Sequence, residues 1–171
     1  KKINILEIGS YSGASAAAFA KFLPKSKVFC FDINISNFRF SSKNIKVFGL
    51  DVGNKIKVQK ILKKLFKKNN FNLFDLIIDD GSHNLSDILS NLSFFFKFLK
   101  KKGLFVIEDY KFPNYYDYNR NIDDILIDKL LICPCPLVFF LCKLCSCGLR
   151  TGADVGFPCR VPLITELAPH I

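Results

Sequence analysis

Short apolar runs alternate with amphipathic segments along the first two thirds of the chain, and that alternation restricts the fold more than any other feature. Ile3 to Ile8 reads as a strand, followed by a Gly-containing loop and a short helix from about Ala14 to Leu23 that Pro24 stops. Val28 to Phe31 and Ile45 to Phe48 are the next two strands. Val58, Ile61, Leu62, Leu65 and Phe66 then recur at helical i, i+3, i+4, i+7, i+8 spacing. Lys57, Lys60, Lys63, Lys64, Lys67 and Lys68 fall toward the other side, so this is a surface helix covering a core. Leu73 to Ile78 is a fourth strand, and Asn84 to about Leu99 is a helix with Ile88, Leu92, Phe95, Phe96 and Leu99 on one face. Gly103 is expected to break that helix, leaving Leu104 to Ile107 as a fifth strand. Strands joined through helices need right-handed crossovers. The expected fold is therefore α/β: a Rossmann-like, doubly wound parallel sheet with helices on both faces. Such sheets hold ligands at the carboxyl ends of their strands, so the polar residues after each strand are the ones to read for chemistry.

The 171 residues, half of them hydrophobic, suffice for one domain with a sizeable core. The net charge of +10 comes mostly from lysines scattered over helices and turns. That pattern reads as a solvated surface rather than a nucleic-acid face, so no nucleic-acid partner is expected. The longest apolar run, Leu130 to Cys142, has 13 residues and contains Pro134 and Pro136, too short and too broken to cross a bilayer. No membrane partner is expected. With no signal-peptide pattern ahead of the first strand, the chain reads as a fragment of a cytoplasmic protein.

Composition changes abruptly near residue 129. All 13 asparagines precede it, whereas six of the seven cysteines and five of the seven prolines follow it. The chain is accordingly divided into a domain at 1–128, incomplete at both ends, and a Cys/Pro-rich tail at 129–171. The tail cysteines (Cys133, Cys135, Cys142, Cys145, Cys147, Cys159) include a single C-x-x-C, with only His170 as a possible nitrogen ligand. That is not zinc-ribbon spacing. A shifted reading frame or a fused stretch would explain the change, and no function is assigned to the tail.

After the first strand comes Glu7-Ile8-Gly9-Ser10-Tyr11-Ser12-Gly13, then Ala14, Ser15 and three further alanines. Glycines let the backbone turn tightly beside a ligand, and small residues let the helix pack near the sheet. A dinucleotide site would want G-x-G-x-x-G, whereas the spacing here is G-x-x-x-G. Asp32 closes the second strand, where a carboxylate can accept from both hydroxyls of a ribose. Asp51 follows the third, where it can border an adenine. Singly, a Gly loop is a turn and Asp32 a strand-end cap; their order and spacing make them a nucleoside site.

The fourth strand leads into Asp79-Asp80-Gly81-Ser82-His83, and the fifth ends in Glu108-Asp109-Tyr110. Neighbouring strand ends bring these groups to one rim, where crowded carboxylates repel unless a cation or proton intervenes. Oxygen donors of this kind suit Mg²⁺. This chemistry assigns Asp80, Glu108 and Asp109 to the metal and His83 to proton removal from a hydroxyl. Asp79 falls to the cofactor side. An isolated D-G-S-H would more readily cap the next helix, and the second acidic pair tips the balance toward chemistry.

The segments E-I-G-S-Y-S-G, F-D-L-I-I-D-D-G-S-H and G-L-F-V-I-E-D-Y together resemble the class I S-adenosylmethionine-dependent methyltransferases. Within them the likeness is to the branch of macrocin- and mycinamicin-type sugar O-methyltransferases and their cephalosporin hydroxylase or rhamnosyl methyltransferase relatives. It covers residue 3 to about residue 112, with Tyr11 in place of the middle glycine of the usual first motif. The resemblance implies that the Glu7, Gly9, Ser10, Tyr11 and Gly13 loop holds the methionine part of S-adenosylmethionine, Asp32 its ribose and Asp51 its adenine. It further implies Mg²⁺ at Asp80, Glu108 and Asp109, a general base at His83, and a small-molecule hydroxyl, such as that of a sugar, as acceptor. The branch adds two more strands, which are not recognisable here, so the sheet is expected to be truncated. The rival expectation is a non-catalytic Rossmann-like domain with residual cofactor binding. Tyr115, Tyr116 and Tyr118 fit either stacking on a sugar ring or a plain loop surface.

Overall fold

A computed structural model of the chain describes residues 2–109 and the strand Leu137–Leu141. The tail cysteines, His170 and the tyrosines from Tyr110 onward lie outside the described residues.

The elements run β1 (Asn4–Ile8), α1 (Ala14–Phe22), β2 (Lys27–Asp32), β3 (Ile45–Gly49), α2 (Lys55–Asn69), β4 (Phe74–Asp79), α3 (Leu85–Phe95), β5 (Leu99–Glu108) and β6 (Leu137–Leu141). Short 3₁₀ turns follow β2 at Ile35–Asn37 and α3 at Phe96–Phe98. The strand order is β3-β2-β1-β4-β5-β6, with every pair parallel, as expected for a doubly wound sheet.

Alternation along the central strands sorts the core into two layers. Leu6, Ile8, Phe29 and Phe31 face α2 and α3, meeting Val58, Leu62, Leu65, Ile88, Leu92 and Phe95. Ile5, Val28 and Cys30 face the other way, onto Ala16, Phe19 and Leu23 of the α1 region. The first layer is rich in aromatic contacts, with Phe29, Phe66, Phe71 and Phe74 at centroid separations of 5.1 to 6.0 Å. Each fully buried Phe contributes about 1.5–3 kcal/mol from removal of its surface from water.

Local chemistry sets the helix ends. Asn54 and Asn84 accept from Lys57 N at 3.0 Å and from Ser86 N at 3.0 Å, capping α2 and α3. Asn70 closes α2 in the left-handed conformation at φ 54°. Among the described residues, no helix is long and apolar enough to cross a membrane.

Two details differ from expectation. Gly103 lies inside β5 instead of ending α3, because the strand begins at Leu99 and pairs there with Phe74. The register then jumps from Phe74–Leu99 to Leu76–Leu104, so β5 carries extra residues in a bulge. A Cβ at Gly103 would meet Leu99 Cδ1 at 2.8 Å, so glycine gives the buried Leu99 room beneath the bulge. The second difference is β6, which adds a sixth parallel strand within the region assigned as tail.

Candidate active site

The carboxyl ends of β1 to β4 border a cleft of about 620 Å³. Backbone hydrogen bonds lace its floor: Gly9 N donates to Phe31 O at 2.9 Å, Asp80 N to Ile8 O at 2.9 Å, and Leu50 N to Asp32 O at 2.7 Å. The loop after β1 turns through Gly9 and Gly13, both at φ 79°. A Cβ on Gly9 would lie 2.0 Å from the Asp80 carbonyl oxygen, and one on Gly13 would lie 2.4 Å from the Phe38 ring. Both positions therefore need glycine for space as well as for conformation.

Asp32 anchors this loop. Its Oδ2 accepts from Tyr11 N at 2.8 Å and its Oδ1 from Asn34 N at 2.8 Å. Asp32 lines the cleft, and each of its carboxylate oxygens keeps capacity to accept a further bond. Asp51 also lines the cleft, with Oδ1 accepting from Gly53 N at 2.8 Å. Tyr11 lines it too and is 70 % exposed.

Three expected residues sit behind the wall rather than in it. Glu7 is buried beneath the loop, accepting from Ser15 Oγ and from Cys30 Sγ at 3.7 Å. Burial raises its carboxyl above the ordinary 4.5, which Ser15 partly offsets. The neighbouring thiol of Cys30 is pushed up to about 12, chiefly by burial. Ser10 is buried beside them. Asp79 is likewise buried, and its Oδ2 accepts from Asn91 Nδ2 at 3.1 Å. Burial raises Asp79 to about 7 against the opposing effect of Asn91.

On the β4 and β5 side, Asp80, His83 and Asp109 each offer a ligand atom within 4.8 Å of the other two. Asp109 is buried, and Asp80 and His83 are half-buried. Two oxygen donors and an imidazole at this spacing fit one divalent cation. Glu108 ends β5 one residue before Asp109 and is not one of the three; Asp109 itself lies beyond the strand, in left-handed backbone. His83, expected as a base, thus has a ring nitrogen close to both carboxylates.

Left-handed backbone concentrates at the same rim: Tyr11 at φ 43°, His83 at 58° and Asp109 at 50°. Each such residue costs on the order of 1–3 kcal/mol, which the surrounding packing must offset.

The cleft wall also contains Lys55 and Asn91, which the sequence reading passed over. Lys55 Nζ donates to Asn91 Oδ1 at 2.7 Å. Asn91 was detectable as the one polar residue among Ile88, Leu92 and Phe95 on the apolar face of α3.

Fold and rim together define a class: a Rossmann-like α/β domain with a nucleoside-sized cleft beside a carboxylate and histidine cluster. A family model described as a methyltransferase domain matches residues 6–110, and the chain belongs to that family. Among solved structures, the chain is similar to MycE, a methyltransferase from the mycinamycin biosynthetic pathway. Against MycE with Mg and SAH the identity is 21 % and the TM-score 0.61, covering 80 % of this chain and 39 % of that one. Against MycE with Mg, SAH and mycinamycin VI the values are 23 % and 0.55, covering 67 % and 32 %. At this identity the likeness is one of fold, that of the class I S-adenosylmethionine-dependent methyltransferases. The chain spans about a third to two fifths of the length of MycE. No curated protein matches the sequence.

Proposed function

We propose that this chain carries the cofactor- and metal-binding part of an S-adenosylmethionine-dependent O-methyltransferase acting on a hydroxyl of a small molecule, with a sugar as the favoured class. One observation carries the proposal: a single cleft whose wall includes Asp32 and Asp51 on one side of β1 and Asp80 and His83 on the other. MycE, of the same fold, has been solved with Mg, SAH and a macrolide, which supports the same ligand classes here.

In this assignment the Gly9–Gly13 loop receives the methionine part of the cofactor. Asp32 accepts from the ribose hydroxyls with the lone pairs its backbone bonds leave, and Asp51 borders the adenine. Glu7 acts from below, holding the loop through Ser15 rather than touching the cofactor. Asp80 and Asp109 would hold a divalent cation, Mg²⁺ by preference, while Glu108 lies outside their group. Such a cation supplies positive charge that eases ionisation of an acceptor hydroxyl. His83 takes the hydroxyl proton, and S-adenosylmethionine, when bound, would supply the methyl group for that oxygen and leave as S-adenosylhomocysteine.

Calorimetry should show micromolar binding of S-adenosylhomocysteine that Asp32→Ala abolishes; no heat with either protein would overturn the cofactor assignment. In methyl-transfer assays, His83→Ala should lower kcat by about 10²–10⁴-fold while cofactor affinity is retained. Full activity in excess chelator would remove the cation from the reaction.

A further inference from the structure

The cleft wall and the metal corner are joined by a chain of side chains that the proposed chemistry does not use. Lys55, the first residue of α2, reaches across the cleft wall and donates to Asn91 Oδ1 at 2.7 Å. Asn91 turns its amide nitrogen to Asp79, at 3.1 Å from Oδ2 and 3.4 Å from Oδ1. Asn91 and Asp79 are 4 % and 3 % exposed, so both ends of this bond are shut off from water. The Lys55 ammonium also lies over the rings of Phe94 and Phe95, at 5.3 and 5.5 Å from their centroids.

Asp79 in turn sits under the turn that follows it. A backbone hydrogen bond from Gly81 reaches its carboxylate, and a Cβ on Gly81 would lie 3.1 Å from Asp79 Oδ1. That turn carries Asp80 and His83, two of the three members of the metal cluster. A buried carboxylate is tolerated only when paired and hydrogen-bonded. Lys55 supplies a counter-charge from beyond Asn91, and the turn takes its shape from the hydrogen-bonded side chain of residue 79 so held.

We infer that Lys55, acting through Asn91 and Asp79, is a positioning residue that fixes the Asp80–His83 turn in the geometry needed to bind the divalent cation. The inference rests on the metal assignment proposed above. Groups that orient a ligand from behind typically alter metal affinity by about 10–100-fold when removed.

The test is Mg²⁺ and Mn²⁺ titration of the protein by calorimetry, with S-adenosylhomocysteine affinity measured separately in the absence of metal. Lys55→Met should weaken cation binding by about tenfold or more, and Lys55→Arg, which keeps the charge, should stay within about threefold of wild type. Lys55→Met combined with Asp79→Asn removes both charges at once while leaving Asn91 an amide to bond. This double variant should recover most of the lost cation affinity, an outcome that general loosening of α2 would not produce. Equal cation affinity in wild type and Lys55→Met, or no recovery in the double variant, would overturn the positioning role alone. A wild-type protein that takes up neither cation would overturn the metal assignment, and the positioning role with it.

Discussion

Glu7 shows how a motif residue can be correctly located yet work from an unexpected place. Its position ahead of Gly9 marks it in the sequence as part of the cofactor loop, but its carboxyl is buried below that loop, on Ser15 and Cys30. Burial raises its folded pKa above 4.5, so the fold favours the protonated form. The corresponding stability is complete below the ordinary carboxylate value and is lost as pH rises through the raised folded value. Glu7→Gln keeps a neutral acceptor for Ser15 without that loss. The melting temperature of the variant should therefore rise relative to wild type as pH increases from about 4 to about 8. A difference that is flat across the range would mean the carboxyl titrates normally in the fold.

At the scale of elements, periodicity and caps carried most of the information. The apolar i, i+3, i+4 pattern of α2 places Val58, Leu62 and Leu65 in the core, and β1 through β4 end within a residue or so of the expected positions. What the pattern does not encode is pairing across strands. Gly103 after a helical stretch reads as a stop signal, and only the jump of register against β4 shows it to be the relief point of a bulge. Gly103→Val should push on Leu99 and destabilise the protein by about 1–3 kcal/mol, measurable as a lower urea midpoint with an unchanged m-value. An unchanged midpoint would show that β5 can re-register around the new side chain. The site was legible to a similar degree. Asp32, Asp51, Asp80 and His83 announce themselves by following strands. Asn91 is marked only by its place on the apolar face of α3, and Lys55 is not marked at all, because a lysine after an Asn cap is ordinary until tertiary packing brings it to Asn91.

For the molecule as a whole, the consequential strand is β6. It continues the parallel order beyond β5 from within a stretch whose composition differs from everything before residue 129. Periodicity gave no sign of it, since a short apolar run between prolines and cysteines fits a strand and a loop equally well. A chain ending at residue 128 should leave β5, with its Leu104–Ile107 run, as an unprotected edge. Such edges pair with other chains. The shortened protein should melt lower and elute as associated species on size-exclusion chromatography, whereas a monomer of unchanged melting temperature would show that β6 adds nothing to the sheet. The contact between Gly9 and Asp80 has a different kind of consequence. The two loops meet with no room for a single methyl group between them, so neither can be exchanged for its counterpart from a relative without the other. A chimera would have to transplant them as a matched pair, and divergence in one loop confines what the other can become.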